Sequence, residues 1–137
     1  MTVYLCGAIN ARSDADCREW RTVAATYCAR YGIAVRDPMD RDYRGKEAEE
    51  FAAIVEHDKA DVDACDVLLV YFDRPSVGTS MEVLYAWERG KRILLVDASR
   101  APLSPWLRYH ASAIYPELVD ALDALPASLP VHGPDKG

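Results

Sequence analysis

No Cys-x-x-Cys pair occurs in this 137-residue chain; its four cysteines, Cys6, Cys17, Cys28 and Cys65, are scattered. That spacing excludes the usual zinc and dithiol frameworks and reads as reduced, mostly buried thiols in a cytosolic protein. Histidine is scarce too, and His57, His110 and His132 are too dispersed for a zinc site. Basic charge is in deficit, with 16 Lys and Arg against 22 Asp and Glu, a net charge of −6. A general nucleic-acid-binding surface needs clustered cations, so that class is excluded. No apolar run approaches the ~20 residues of a membrane span. The opening Met1-Thr2-Val3-Tyr4-Leu5-Cys6-Gly7 lacks the basic start and long apolar stretch of a signal peptide. Internal repeats and a dividing linker are also missing, so one domain over residues 1–137 is expected.

What is present is an alternation of strands and helices. Thr2–Ile9 reads as a first strand and its loop, and Ser13 with Asp16 forms a capping pattern. Cys17, Trp20, Ala24, Tyr27 and Tyr31 then recur at steps of three and four, one helix face that Gly32 stops. Ile33–Val35 is a short strand, followed by a polar loop over Asp37–Gly45 and a helix near Lys46–Ala64. Further strands are read at Asp66–Phe72, Arg92–Val96 and Ser112–Tyr115, with helices at Thr79–Arg89, Pro105–His110 and Glu117–Leu125. From Pro126 onward a Pro- and Gly-rich stretch reads as a flexible tail. Such alternation predicts an α/β fold, a five-stranded parallel sheet covered on both faces. Trp20 and Trp87 fit helix faces and are read as core, and Trp106 as a residue of a subunit contact.

The stretch from Asp66 to Lys91 carries the strongest functional signal. A buried strand runs into the turn Asp73-Arg74-Pro75-Ser76-Val77-Gly78-Thr79-Ser80 and then a helix. Ligands of α/β proteins sit beyond the carboxyl ends of the sheet, where unpaired N–H groups at a helix start welcome anions. Ser76 and Thr79 add hydroxyls beside Gly78, and the carboxylate of Glu82 follows. Phosphate donors beside an acid point to a phosphorylated or sugar-bearing small molecule.

A second acid stands out of pattern. Phe51, Val55, Val62 and Cys65 share a helix face at offsets 0, 4, 11 and 14, and the middle position, offset 7, is Asp58. A carboxylate within an apolar stripe is either solvated at a rim or faces a pocket with a raised pKa and a partner nearby. Glu82 also has a plain reading, complementing the helix dipole, which would keep it ionised. One ionised carboxylate and one that holds a proton are what cleavage of a glycosidic bond through a covalent intermediate requires. Tyr4 is a strand aromatic that serves either as core or, from the same crevice, as a hydroxyl holding Glu82; Gly7 would let backbone approach a ligand closely.

Together these segments resemble the nucleoside 2-deoxyribosyltransferase family. The pieces are Tyr4-Leu5-Cys6-Gly7-Ala8-Ile9, His57-Asp58 with Ala64-Cys65-Asp66-Val67, Pro75 through Glu82, and Ala86 through Lys91, with a looser match around Leu103-Ser104. The resemblance implies a flavodoxin-like, doubly wound three-layer fold, a homodimer, and attack of a glutamate on C1′ of a nucleoside sugar. By it Glu82 is the nucleophile, Asp58 the acid assisting the departing base, and Tyr4 the residue positioning Glu82. Gly7 and Ile9 fall among the substrate contacts.

One departure separates branches of the family. Nucleoside-transferring members carry an acid six residues before the nucleophile, and here that position is Ser76. A carboxylate would repel a 5′-phosphate, whereas a hydroxyl donates to it. Serine there resembles the nucleotide-hydrolysing branch, which includes 2′-deoxynucleoside 5′-monophosphate N-glycosidases and cytidylate hydrolases. In that branch a second serine, here Ser104, reaches phosphate from the partner subunit. The family's arginine after the first strand is replaced by Asn10, with Arg12 as its substitute. The expectation is a cytoplasmic N-glycosidase of a nucleoside 5′-monophosphate, with Ser76, Gly78, Thr79 and Ser104 on the phosphate and no metal or organic cofactor. Base exchange between nucleosides and non-catalytic nucleotide sensing are the alternatives. Base contacts are sought in the Asp37–Gly45 loop, whose plain reading is a solvated loop with its charges paired internally.

Overall fold

The computed structural model describes residues 1–9 and 13–126. Asn10, Arg12 and the tail beyond Pro126 lie outside the described residues. Five strands, β1 (Thr2–Gly7), β2 (Ala34–Arg36), β3 (Val67–Phe72), β4 (Arg92–Asp97) and β5 (Ala113–Tyr115), form one sheet in the order β2-β1-β3-β4-β5. Every pairing is parallel, with Tyr4 beside Leu68 and Cys6 beside Val70 in the central pair. The helices are α1 (Asp14–Arg30), α2 (Glu47–Ala64), α3 (Val77–Glu88), α4 (Pro105–His110) and α5 (Leu118–Ala124). This is the three-layer α/β arrangement expected from the alternation.

Strand periodicity decides which side chains meet the site. Val3 and Leu5 point with Leu69, Leu94 and Val96 to the layer of α1 and α5, against Trp20, Ala24 and Leu122. Tyr4 and Cys6, one step out of phase, point to the opposite layer with Leu68, Val70, Val62 and Val83. A one-residue slip of β1 would exchange the two sets, so the buried faces fix the register. Chain order reverses between β1 and β3, which opens the crevice at their carboxyl ends.

Local chemistry sets the helix limits. Ser13 accepts from the Asp16 backbone N–H at 3.1 Å and starts α1. Ser76 accepts from the Thr79 N–H at 3.3 Å, so α3 begins at Val77, two residues earlier than the sequence pattern placed it. The apolar stripe of α2 is buried only in its second half: Val62 is fully buried, while Phe51 is 67% and Val55 47% exposed. The helix is not one straight rod: Glu50, next to Phe51, has non-helical backbone (φ −105°, ψ 17°) and bends the amino end of α2. Trp87, read as core, is instead 44% exposed on α3, beside Tyr109 and His110 of α4.

Gly7 ends β1, and packing alone calls for a glycine there. A Cβ there would lie 2.8 Å from Trp20 Cζ2 and 3.2 Å from the Tyr71 carbonyl oxygen. Gly7→Ala should therefore displace Trp20 from its stack on Tyr71, whose rings lie 5.1 Å apart, and cost about 1–3 kcal/mol. Thermal unfolding of the variant checks this.

Candidate active site

A cavity of about 780 Å³ opens at the carboxyl ends of β1 and β3, within the range of small-molecule sites. Gly7, Ile9, Asp58, Ser76, Gly78, Thr79 and Glu82 all line it. Tyr4 stands behind Glu82, fully buried. Ser104 is not among the lining residues; it caps α4 from an exposed position, accepting from the Trp106 N–H at 3.2 Å.

Glu82 lies three residues after Thr79 on α3, so the same helix face carries the anion-friendly turn and the carboxylate. Its two oxygens are held separately. The Tyr4 hydroxyl donates to Oε2 at 2.5 Å, and the Cys6 thiol donates to Oε1 at 3.3 Å. Both donors come from β1, whose alternation aims positions 4 and 6 at α3. Burial pushes the Tyr4 and Cys6 pKa values far up, reinforced by the Glu82 charge, so both keep their protons.

Asp58 projects from α2 into the same cavity and interacts directly with Glu82. Burial raises the Asp58 pKa, and Arg41, at 3.3 Å from its Oδ1, opposes the rise. Burial and the Asp58 charge together push Glu82 up to about 7, against the bonds from Tyr4 and Cys6. The expectation that the helix dipole keeps Glu82 ionised fails here. Glu82 is in the second turn of α3, beyond the reach of the dipole. Two close carboxylates instead share a proton near neutral pH.

This shared proton has a measurable consequence for stability. Glu82 binds its proton more tightly in the native state, about 7 against an ordinary 4.5. Between those pH values the unfolded chain holds fewer protons, so native stability falls as pH rises through the window. Glu82→Gln removes this contribution. The excess Tm of the variant over the wild-type protein should therefore grow from pH 4.5 to 7, which a pair of melting series would read.

Sequence reasoning missed the contacts of three groups, although Arg41 lies in the loop singled out for base contacts. Arg21, 2% exposed, donates to the carbonyls of Leu5 and Gly7 at 2.9 and 3.0 Å and pairs with Asp37 at 2.7 Å. It fixes the end of β1 and places a positive charge near Glu82. Arg41 is hooked by Asp61 at 2.7 Å and reaches Asp58. Cys6, read only as a buried thiol, touches the Glu82 carboxylate. In the Asp37–Gly45 loop Asp42 pairs with Arg44, and Arg41, Asp42, Tyr43 and Arg44 line the cavity. Arg74, just before the α3 cap, lines it as well.

Among known proteins, the family model described as Nucleoside 2-deoxyribosyltransferase matches residues 3–132. The chain therefore belongs to that family, whose enzymes are deoxyribosyltransferases and related N-glycosidases. No match was found among curated proteins. A solved 2-deoxyribosyltransferase from Bacillus psychrosaccharolyticus superposes with a TM-score of 0.77 at 15% identity, covering 96% of this chain and 97% of that one. A CMP N-glycosidase from Clostridium botulinum gives 0.64 at 18% identity, covering 92% and 99%. A conserved protein from Enterococcus faecalis gives 0.72 at 15%, covering 93% and 98%.

Proposed function

We propose that this member of the nucleoside 2-deoxyribosyltransferase family hydrolyses the N-glycosidic bond of a ribo- or deoxyribonucleoside 5′-monophosphate. The products are free base and a sugar 5-phosphate. One observation carries the reading: two adjacent carboxylates, Asp58 and Glu82, and a serine-capped helix start line the same cavity. Beyond the capped Thr79 N–H, the Val77 and Gly78 N–H groups opening α3 have no i−4 partner within the helix, which suits a phosphate. Ser76 uses a lone pair to cap Thr79 and keeps its O–H to donate. The Thr79 hydroxyl is buried without a hydrogen-bond partner, a donor in reserve for ligand. Arg74 adds positive charge on the same wall.

The chemistry needs one proton on the pair. With the base against Asp58 and C1′ against Glu82, the proton belongs on Asp58, and the Glu82 carboxylate attacks. The bond from C1′ to Glu82 forms as the bond to the base nitrogen breaks; the base leaves with that electron pair and takes the Asp58 proton. Asp58, now ionised, accepts a proton from the water that attacks C1′ and frees Glu82. Tyr4 keeps the carboxylate in its attacking orientation. The protein works as a cytoplasmic homodimer, in which exposed Ser104 is supplied to the neighbouring cavity and exposed Trp106 to the contact. Glu82 and Asp58 line the same cavity, which supports catalysis over a non-catalytic sensor; a Glu82→Ala variant that kept its function would favour the sensor.

The test is a panel of nucleoside 5′-monophosphates and the matching free nucleosides, scored by chromatography for base release. Release from a monophosphate but not from its nucleoside supports the proposal; base exchange between free nucleosides replaces it with transfer. Ser76→Asp provides an internal check. A carboxylate at the α3 start should lower kcat/KM for the monophosphate by roughly 10²-fold. Activity on the free nucleoside should be unchanged or higher, so the ratio of the two moves in one direction.

A further inference from the structure

We infer that Cys6 is a positioning residue for the Glu82 nucleophile, its thiol holding Oε1 while Tyr4 holds Oε2. The inference rests on the reading of Glu82 as the attacking group. Of the four buried cysteines, Cys6 is the one whose sulfur meets a carboxylate, at 3.3 Å. Cys17 instead donates to the Ile9 carbonyl at 3.5 Å. Neither β1 donor can be replaced by solvent, because Tyr4 and Cys6 are both fully buried.

A carboxylate held at one oxygen still swings about its last torsion, since that sp³–sp² rotation is soft. Held at both oxygens by donors two residues apart on one strand, it has a single plane. That restraint has something to resist, because the charge of the adjacent Asp58 opposes that of Glu82 when both are ionised. The charged and titratable groups facing Glu82 are Tyr4 and Cys6 from β1, Asp58 from α2 and Arg21 from α1. The two β1 side chains donate hydrogen bonds to its two oxygens, and the Asp58 carboxyl is hydrogen-bonded to it as well. A thiol suits this place because it packs as an apolar group among Val62, Val70 and Val83 while still offering a weak proton donor.

A structural role and a positioning role predict opposite orders for two small substitutions. If Cys6 only fills space in an apolar cluster, Cys6→Ala is better tolerated than Cys6→Ser. If the donor matters, serine restores it and alanine does not. Both variants are compared with the wild-type protein in kcat for base release and in an NMR titration of the Glu82 carboxyl carbon, without substrate. We expect Cys6→Ala to lose roughly ten- to a hundredfold in kcat and to titrate Glu82 at higher pH. Cys6→Ser should recover most of the rate and return the midpoint to or below its wild-type position, whatever the order of their Tm values. An alanine variant with wild-type rate and midpoint, or one that outperforms serine in both, overturns the inference. If the wild-type protein releases no base from any substrate, the proposed function falls; the titration still judges whether the thiol holds the carboxylate.

Discussion

Glu82→Gln should abolish base release, lowering kcat by roughly 10³-fold or more, in a protein that folds as before. The amide has the shape of the carboxylate and keeps an oxygen for the Tyr4 hydroxyl, which now donates to Oε2. It cannot attack C1′, so no covalent intermediate forms. The size of the loss discriminates between mechanisms. Were water to attack C1′ directly, with Glu82 only a local charge, the amide would cost far less and Asp58 could still assist the base. A nucleophile leaves a second trace. Wild-type protein incubated with a slow substrate should gain the mass of a sugar phosphate on the peptide holding Glu82, and the glutamine variant should not.

Burial patterning explains which features were readable in advance. The α1 stripe of Cys17, Trp20 and Ala24 is buried as spaced, while Tyr31, at its end, is 54% exposed because α1 stops at Arg30. The apolar run of β3 is buried on both faces, as a central parallel strand must be. Asp58 was legible as an anomaly, an acid inside a stripe, and it lines the cavity. The same stripe misled at Phe51 and Val55, since periodicity records which face is apolar but not what covers it; Val55 lines the cavity instead of the core. What stayed hidden depends on distant partners. Cys6 meets Glu82 across 76 residues, and Arg21 reaches Asp37 through the end of β1. The pKa of Glu82 is likewise a property of the assembled cavity, set by burial and Asp58 rather than by its place on α3.

The second large effect is expected for Asp58→Asn, a loss of roughly 10²–10³-fold in kcat with a change in pH dependence that identifies its cause. In the wild-type protein the working form carries one proton on the pair. Activity should therefore fall on the alkaline side as that proton leaves, near the pH of about 7 to which Glu82 is pushed. With asparagine, no proton is available to the base and none is required. The alkaline decline should disappear. Loss of the Asp58 charge also removes one of the two causes that raise Glu82, so its ionisation moves to lower pH and the residual rate reaches its plateau earlier. The penalty should shrink for a substrate whose base departs readily as an anion, because such a base has less need of a proton. Equal losses for good and poor leaving bases, with the alkaline decline intact, would remove Asp58 from the proton path. Its ion pair with Arg41 would then be a support for the wall between α2 and the Asp37–Gly45 loop.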